Sequence, residues 1–215
     1  MKLIQRLHHY RFHIFFATQM IVLFISIILP EENISSLFRP LAFLLNLIAG
    51  LLIISNNRVL VTVVAVLMLI QFILSLTAGD TQPLLISRNL ILSLLYLTLM
   101  VEIIKQIIHI RKVDSQIVFA MFSGYVTLGT IGFLILENFI MIDPLSMQFN
   151  MISGDVQSGD ILYFSFITLL TIGYGDIIPL SEATQRTAIL IGMSGQFYLT
   201  VVIALIIGKH LREEQ

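Results

Sequence analysis

The chain has 215 residues, of which 57% are hydrophobic and only 12% charged, and its formal net charge is -1 at pH 7. This composition belongs to membrane proteins and excludes an ordinary soluble domain, while a charge so near zero predicts no nucleic-acid partner. Cysteine is absent, which removes disulfides, thiolate zinc sites and thiol nucleophiles.

A membrane span needs about 20 apolar residues, since about 30 Å of hydrocarbon is covered at about 1.5 Å per residue. Six segments meet that requirement in chain order, 12–29, 36–54, 59–78, 84–101, 117–136 and 188–207. Basic residues precede the first, as in a signal peptide. Its apolar core is too long and no small-residue cleavage site follows, so it reads as a true span. Near the start of the second, Arg39 and Pro40 read as a snorkelling cation and a first-turn proline, and Arg88 interrupts the fourth similarly. Short turns such as "SNNR" at 55–58 and "GDTQP" at 79–83 join the early spans as antiparallel neighbours of a compact bundle. Asn46 and Gln71 are amides inside spans, placed to bond between helices. His8, His9 and His13 gather near the N-terminus, where pH or headgroup sensing and a plain solvated set both account for them.

Residues 101–114, "VEIIKQIIHIRKVD", carry Ile104, Ile107 and Ile108 on one side and Glu102, Lys105 and His109 on the other. Two readings stay open, a helix on the cytoplasmic membrane surface and a fourth span that runs on into water. On the first, the chain divides into a four-helix transmembrane domain (1–101), an interfacial linker (102–114) and a C-terminal module (115–215). A cytoplasmic N-terminus puts nine of the 12 Lys and Arg inside and leaves only Arg39, Arg88 and Arg186 outside, with both termini cytoplasmic. Carboxylates including Asp143, Asp160, Asp176 and Glu182 then collect outside, a face favourable to arriving cations.

The C-terminal module is interrupted. After the fifth span come a polar segment, 143–160, and an apolar run, 161–170, that is too short to span and reads as a re-entrant helix starting at Asp160 or capped by Ser158. Next stands "TLLTIGYGDIIP", 168–179. Non-helical backbone at membrane depth is tolerable only where protein or water surrounds it. Gly173 and Gly175 alternate with larger residues, and glycine permits the positive φ that lets successive carbonyls point one way. Several copies around an axis would form an oxygen-lined tube for a dehydrated cation. No nucleotide loop, metal-ligand spacing or Ser/His/Asp set is visible, so neither enzyme activity nor an organic cofactor is expected.

"TIGYGD", Thr171 to Asp176, resembles the signature of the potassium channel family. The short helix, the signature, Pro179 and a closing span with Gly192 and Gly195 follow in the order of that family's pore module. The resemblance implies an all-α membrane protein of six transmembrane helices with a re-entrant pore helix and filter loop, assembled as a homotetramer around one pore. The carbonyls of Thr171, Ile172, Gly173 and Tyr174, the Thr171 hydroxyl and the turn at Gly175 would replace the hydration shell of K⁺. Lipid, K⁺, identical copies and an unidentified regulatory partner are the implied partners, and a bacterial inner or plasma membrane is the implied location.

Support residues follow from the same resemblance. Tyr163 stands where the family carries an aromatic able to reach Asp176, unless it is an ordinary packed tyrosine. Glu137 resembles a glutamate that braces the pore loop, though a solvated interfacial glutamate reads equally well. Ile167 replaces a glutamate found behind some bacterial filters, which puts in doubt any carboxylate-based inactivation. Gly195, with Gly192, takes the position of an inner-helix hinge, with close packing the alternative. Six spans look like the voltage-gated architecture, yet the fourth carries only Arg88 where about three to four gating charges are needed, so voltage sensing by charge movement is not expected. Only "KHLREEQ" follows Gly208, so no cytoplasmic ligand domain is expected. A poorly selective cation channel, an occluded potassium transporter or sensor subunit, and a non-conducting scaffold are the rival readings.

Overall fold

The computed structural model describes residues 7–28, 39–54, 58–77, 81–109, 114–149 and 157–213. The elements are α1 (Arg11–Ile28), α2 (Arg39–Ile54), α3 (Arg58–Thr77), α4 (Gln82–His109), α5 (Ser115–Ile142), a 3₁₀ turn (Pro144–Ser146), β1 (Met147–Phe149), α6 (Ser158–Leu169), β2 (Ile177–Pro179) and α7 (Glu182–Glu213). The described residues are thus almost wholly helical, as expected where hydrocarbon offers the backbone no partners. Among the described residues α4, α5 and α7 are long and apolar enough to cross a membrane, whereas α1, α2 and α3 contribute shorter apolar stretches. Pro40 takes the second position of α2, where a missing N–H costs nothing.

α4 runs unbroken to His109, so residues 101–109 continue the fourth helix and do not form a separate surface helix. Residues 110–113 of the expected linker lie outside the described residues. α5 begins where the Asp114 carboxylate accepts from the Ile117 N–H at 3.2 Å, satisfying one of the orphan donors of its first turn.

The largest helix contact is between α4 and α5, and α1 packs on both α2 and α5. Of the N-terminal helices, α1 and α4 therefore lie against the α5 of their own chain. One apolar core runs through the molecule, from Phe12 and Phe15 through Leu47, Leu95 and Ile103 to Phe133 and Ile167. Polar bonds cross it. Asn46 accepts from the Tyr96 hydroxyl at 2.7 Å and donates to Thr18 Oγ1 at 2.9 Å, joining α2, α4 and α1. Gln19 Nε2 donates to Thr127 Oγ1 at 2.9 Å and ties α1 to α5. Such bonds between membrane helices contribute about 0.6 kcal/mol each on average, so they register helices more than they stabilise them. Gln71, expected to act like Asn46, instead buries a carbonyl oxygen with no hydrogen-bond partner among the described residues.

β1 and β2 form a two-stranded antiparallel sheet in the register Met147↔Pro179, Gln148↔Ile178 and Phe149↔Ile177. β2 touches α7, and the pairing with β1 clamps the stretch that follows "TIGYGD". Sequence reading expected no strand there.

Candidate functional site

α6 holds 12 residues, about 18 Å at the helical rise, and cannot span a bilayer. Ser158 is its first residue, and the capping carboxylate is that of Asp160, which accepts from the Gln157 N–H at 2.9 Å. That bond also sets a negative charge at the positive end of the helix.

The far end of α6 closes in a tight left-handed turn. Leu170 is the C-cap, and Thr171 follows with φ at +58°. The Thr171 N–H returns to the Thr168 carbonyl at 3.0 Å and the Ile172 N–H to the Ile167 carbonyl at 2.8 Å, the paired bonds of a Schellman motif. Glycine or asparagine is usual at that left-handed position, and a β-branched residue there is an outlier that stores strain of about 1–3 kcal/mol. Gly173 and Gly175 continue the pattern at +56° and +79°, while Ile172 and Tyr174 between them keep negative φ. The alternation turns successive peptide groups so that N–H groups gather on one side and carbonyls can gather on the other. No atom lies within 4 Å of a Cβ built on Gly173 or Gly175, so φ alone, not crowding, requires glycine there.

Residues 170–175 are all exposed in the single chain, with Ile172 at 47% and Tyr174 at 72%. Apolar side chains on a strained loop stand uncovered at the end of a buried helix. Asp176, at its outer end, accepts from the Tyr163 hydroxyl at 2.8 Å and from the Ile177 N–H at 3.1 Å. The reach expected of Tyr163 is therefore present. β2 begins at once, and the Ser146 carbonyl collects the Leu180 N–H at 2.8 Å, the Ser181 N–H at 3.1 Å and the Thr184 hydroxyl at 2.9 Å. The outer end of the loop is thus pinned to the turn that leaves α5.

The other expected residues divide. Glu137 is buried, not solvated, and accepts from Asn89 Nδ2 at 2.8 Å, which ties the C-terminal end of α5 to α4. Ile167 is core. A Cβ on Gly195 would lie 2.6 Å from the Leu169 carbonyl oxygen, so that glycine lets α7 cross the end of α6, whereas Gly192 has only the Thr168 oxygen at 3.8 Å. The three histidines do not act as one group. His8 meets Arg11 at 3.3 Å, His9 meets Gln116 at 3.1 Å and His13 lies with its ring 4.0 Å from Phe119. Burial, and then the Arg11 charge, hold His8 below its ordinary pKa. Among the described residues no His, Cys, Asp or Glu cluster could hold a metal ion. Sequence reasoning missed Tyr125, whose hydroxyl donates to the Leu169 carbonyl at 3.0 Å across helices, because tyrosine in an apolar span gives no local sign of its partner.

No curated protein and no solved structure matches the chain. A family model described as an ion channel matches residues 120–210, which hold most of α5, both strands, α6, the left-handed loop and α7 nearly to its end. Under half of the chain is covered, and over that stretch it is similar to ion channels, a likeness that supports passive conduction of ions through a membrane.

Proposed function

We propose that the protein is a potassium-selective channel in which four copies surround one axis and K⁺ crosses passively between their 171–175 loops. The observation that carries this reading is the alternation of positive φ at Thr171, Gly173 and Gly175 on an exposed loop that ends a helix too short to span. Backbone strain of that kind persists where function uses it. The carbonyls of Thr171, Ile172, Gly173 and Tyr174 replace the water around K⁺, and the negative end of α6 faces the ion below them. Na⁺ is held less well.

Assembly is favoured by what the single chain leaves uncovered. Only 22% of the apolar stretch of α7 is buried, against 61% for α5. Phe197, Ile189 and Leu190 of α7 stand exposed together with Ile172 and Tyr174. Tyr163 and Asp176 brace the outer end of each filter strand, and Glu137 braces α5. The four N-terminal helices do not move gating charge, because α4 carries only Arg88 in its outer half. Both termini face the cytoplasm.

Purified protein in liposomes, loaded with K⁺ and given a K⁺ gradient, tests this. Steady flux blocked by Ba²⁺, with a reversal potential that follows K⁺ when Na⁺ replaces it on one side, is the expected result. A reversal potential indifferent to that exchange identifies a poorly selective cation channel, and absence of flux identifies an occluded transporter or a scaffold.

A further inference from the structure

The last carbonyls of α6 divide by the partner each finds. Those of Phe166, Ile167 and Thr168 accept from the N–H groups of Leu170, of Ile172 and Gly173, and of Thr171, all within the turn itself. The Leu169 carbonyl accepts from another element, the Tyr125 hydroxyl of α5 at 3.0 Å. α7 also arrives there at Gly195, where a Cβ would sit 2.6 Å from the same oxygen and 2.9 Å from Leu169 Cδ1. The Leu169 side chain is buried. A single peptide group, two residues before the strained Thr171, is therefore held between α5 and α7.

The Tyr125 ring lies 6.0 Å from that of Tyr198 on α7, while the Tyr198 hydroxyl is engaged elsewhere, donating to the Met121 carbonyl at 2.9 Å. Phenol and carbonyl meet at a part-buried position between helices, and an acceptor deprived of its donor turns toward whatever cation or dipole is near. The nearest such attraction on the channel reading is the ion.

We propose that Tyr125 is a positioning residue for the ion path: its hydroxyl fixes the Leu169 peptide and so sets where the left-handed turn at Thr171 presents its oxygens. The inference rests on the channel reading. Selectivity built from carbonyls depends on where those carbonyls are held, and a loosened base lets the cage adapt to the smaller Na⁺. Tyr125 does not touch the ion; it acts through Leu169.

Tyr125→Phe keeps the ring and removes the hydroxyl, and Tyr198→Phe is the matched control, since its bond joins α7 to α5 without reaching α6. Each tetramer is melted in K⁺ and in Na⁺ solution, and each is tested for K⁺ over Na⁺ permeability in liposomes. An ion bound only by the folded protein raises its melting point, so the wild type has a K⁺-dependent increment. Tyr125→Phe is expected to melt close to wild type in Na⁺, to lose most of the K⁺ increment and to lower the permeability ratio about tenfold, the order of one lost hydrogen bond. Tyr198→Phe is expected to keep increment and ratio. Wild-type values for both measures in Tyr125→Phe, or an equal loss in Tyr198→Phe, overturn the proposal. For a Tyr125→Phe chain that fails to assemble, Tyr125→3-fluorotyrosine keeps ring and hydroxyl while making the phenol a stronger donor. A ¹³C resonance of the Leu169 carbonyl that does not respond to fluorination in K⁺ then overturns it. Wild-type protein with neither flux nor K⁺ increment overturns the channel reading itself, whereas a wild type with both and an unchanged Tyr125→Phe overturns only the role of Tyr125.

Discussion

Thr171 is the residue at which sequence, strain and proposed use meet. A left-handed conformation costs a side-chain-bearing residue about 1–2 kcal/mol, and glycine would escape that cost at the price of about 0.5–1 kcal/mol of extra freedom in the unfolded chain. Threonine at +58° is therefore not the stable choice. Thr171→Gly is expected to melt at or above the wild-type temperature in K⁺-free solution while losing K⁺ over Na⁺ selectivity, because the hydroxyl proposed to face the ion is gone. Calorimetry and bi-ionic reversal potentials on the same preparation check it, and a variant that keeps full selectivity would separate strain from function. The glycines of the loop were legible from "TIGYGD" because their need is local, a positive φ with open space around them. The strain at Thr171 was not, since threonine carries no mark of the conformation that a helix end forces on it.

Among the elements, α6 and α7 meet at Gly195, for which a hinge and close packing were the two open readings. The geometry favours contact over bending at Gly195, and it separates that residue from Gly192. Gly195→Ala is expected to destabilise the protein by about 1–3 kcal/mol, because the added methyl has to displace the Leu169 peptide. Gly192→Ala is expected to be neutral or to stabilise by up to about 1 kcal/mol, as alanine is the better helix former and finds room. Thermal melting of the two variants side by side decides between close approach and a hinge: a Gly195→Ala chain as stable as wild type would restore the hinge. The helices themselves were readable from apolar length, and the short α6 from its being too short. The β1 and β2 pair escaped notice because three-residue strands show no period, and its bonds depend on a register set by Ser146, thirty-odd positions away from its partners. The continuity of α4 through His109 was one of two open readings, since an amphipathic surface helix and an extended span share the same spacing.

At the scale of the whole molecule, the N-terminal helices are fastened to the C-terminal module at both ends. Asn89 reaches Glu137 near the C-terminal end of α5, and Lys209 of α7 donates to the Ile107 carbonyl near the C-terminal end of α4. Gln19 and Thr127 join α1 to α5 between them. With Arg88 the lone cation of the outer half of α4, the conductance of reconstituted protein is expected to change little with voltage. A steep conductance–voltage curve that Arg88→Gln flattens would show otherwise. Which module a four-helix bundle leans on cannot be read from a chain of apolar runs, because every span offers similar leucines and isoleucines to every other.

The largest helix contact, α4 on α5, is made inside one polypeptide. In the proposed tetramer each copy would then carry its own bundle as a private attachment, and damage in α1–α4 would stay with the copy that inherits it. In channels assembled from wild-type and Asn46-altered chains, harm would accumulate in graded steps with the number of altered chains, rather than passing to an intact neighbour.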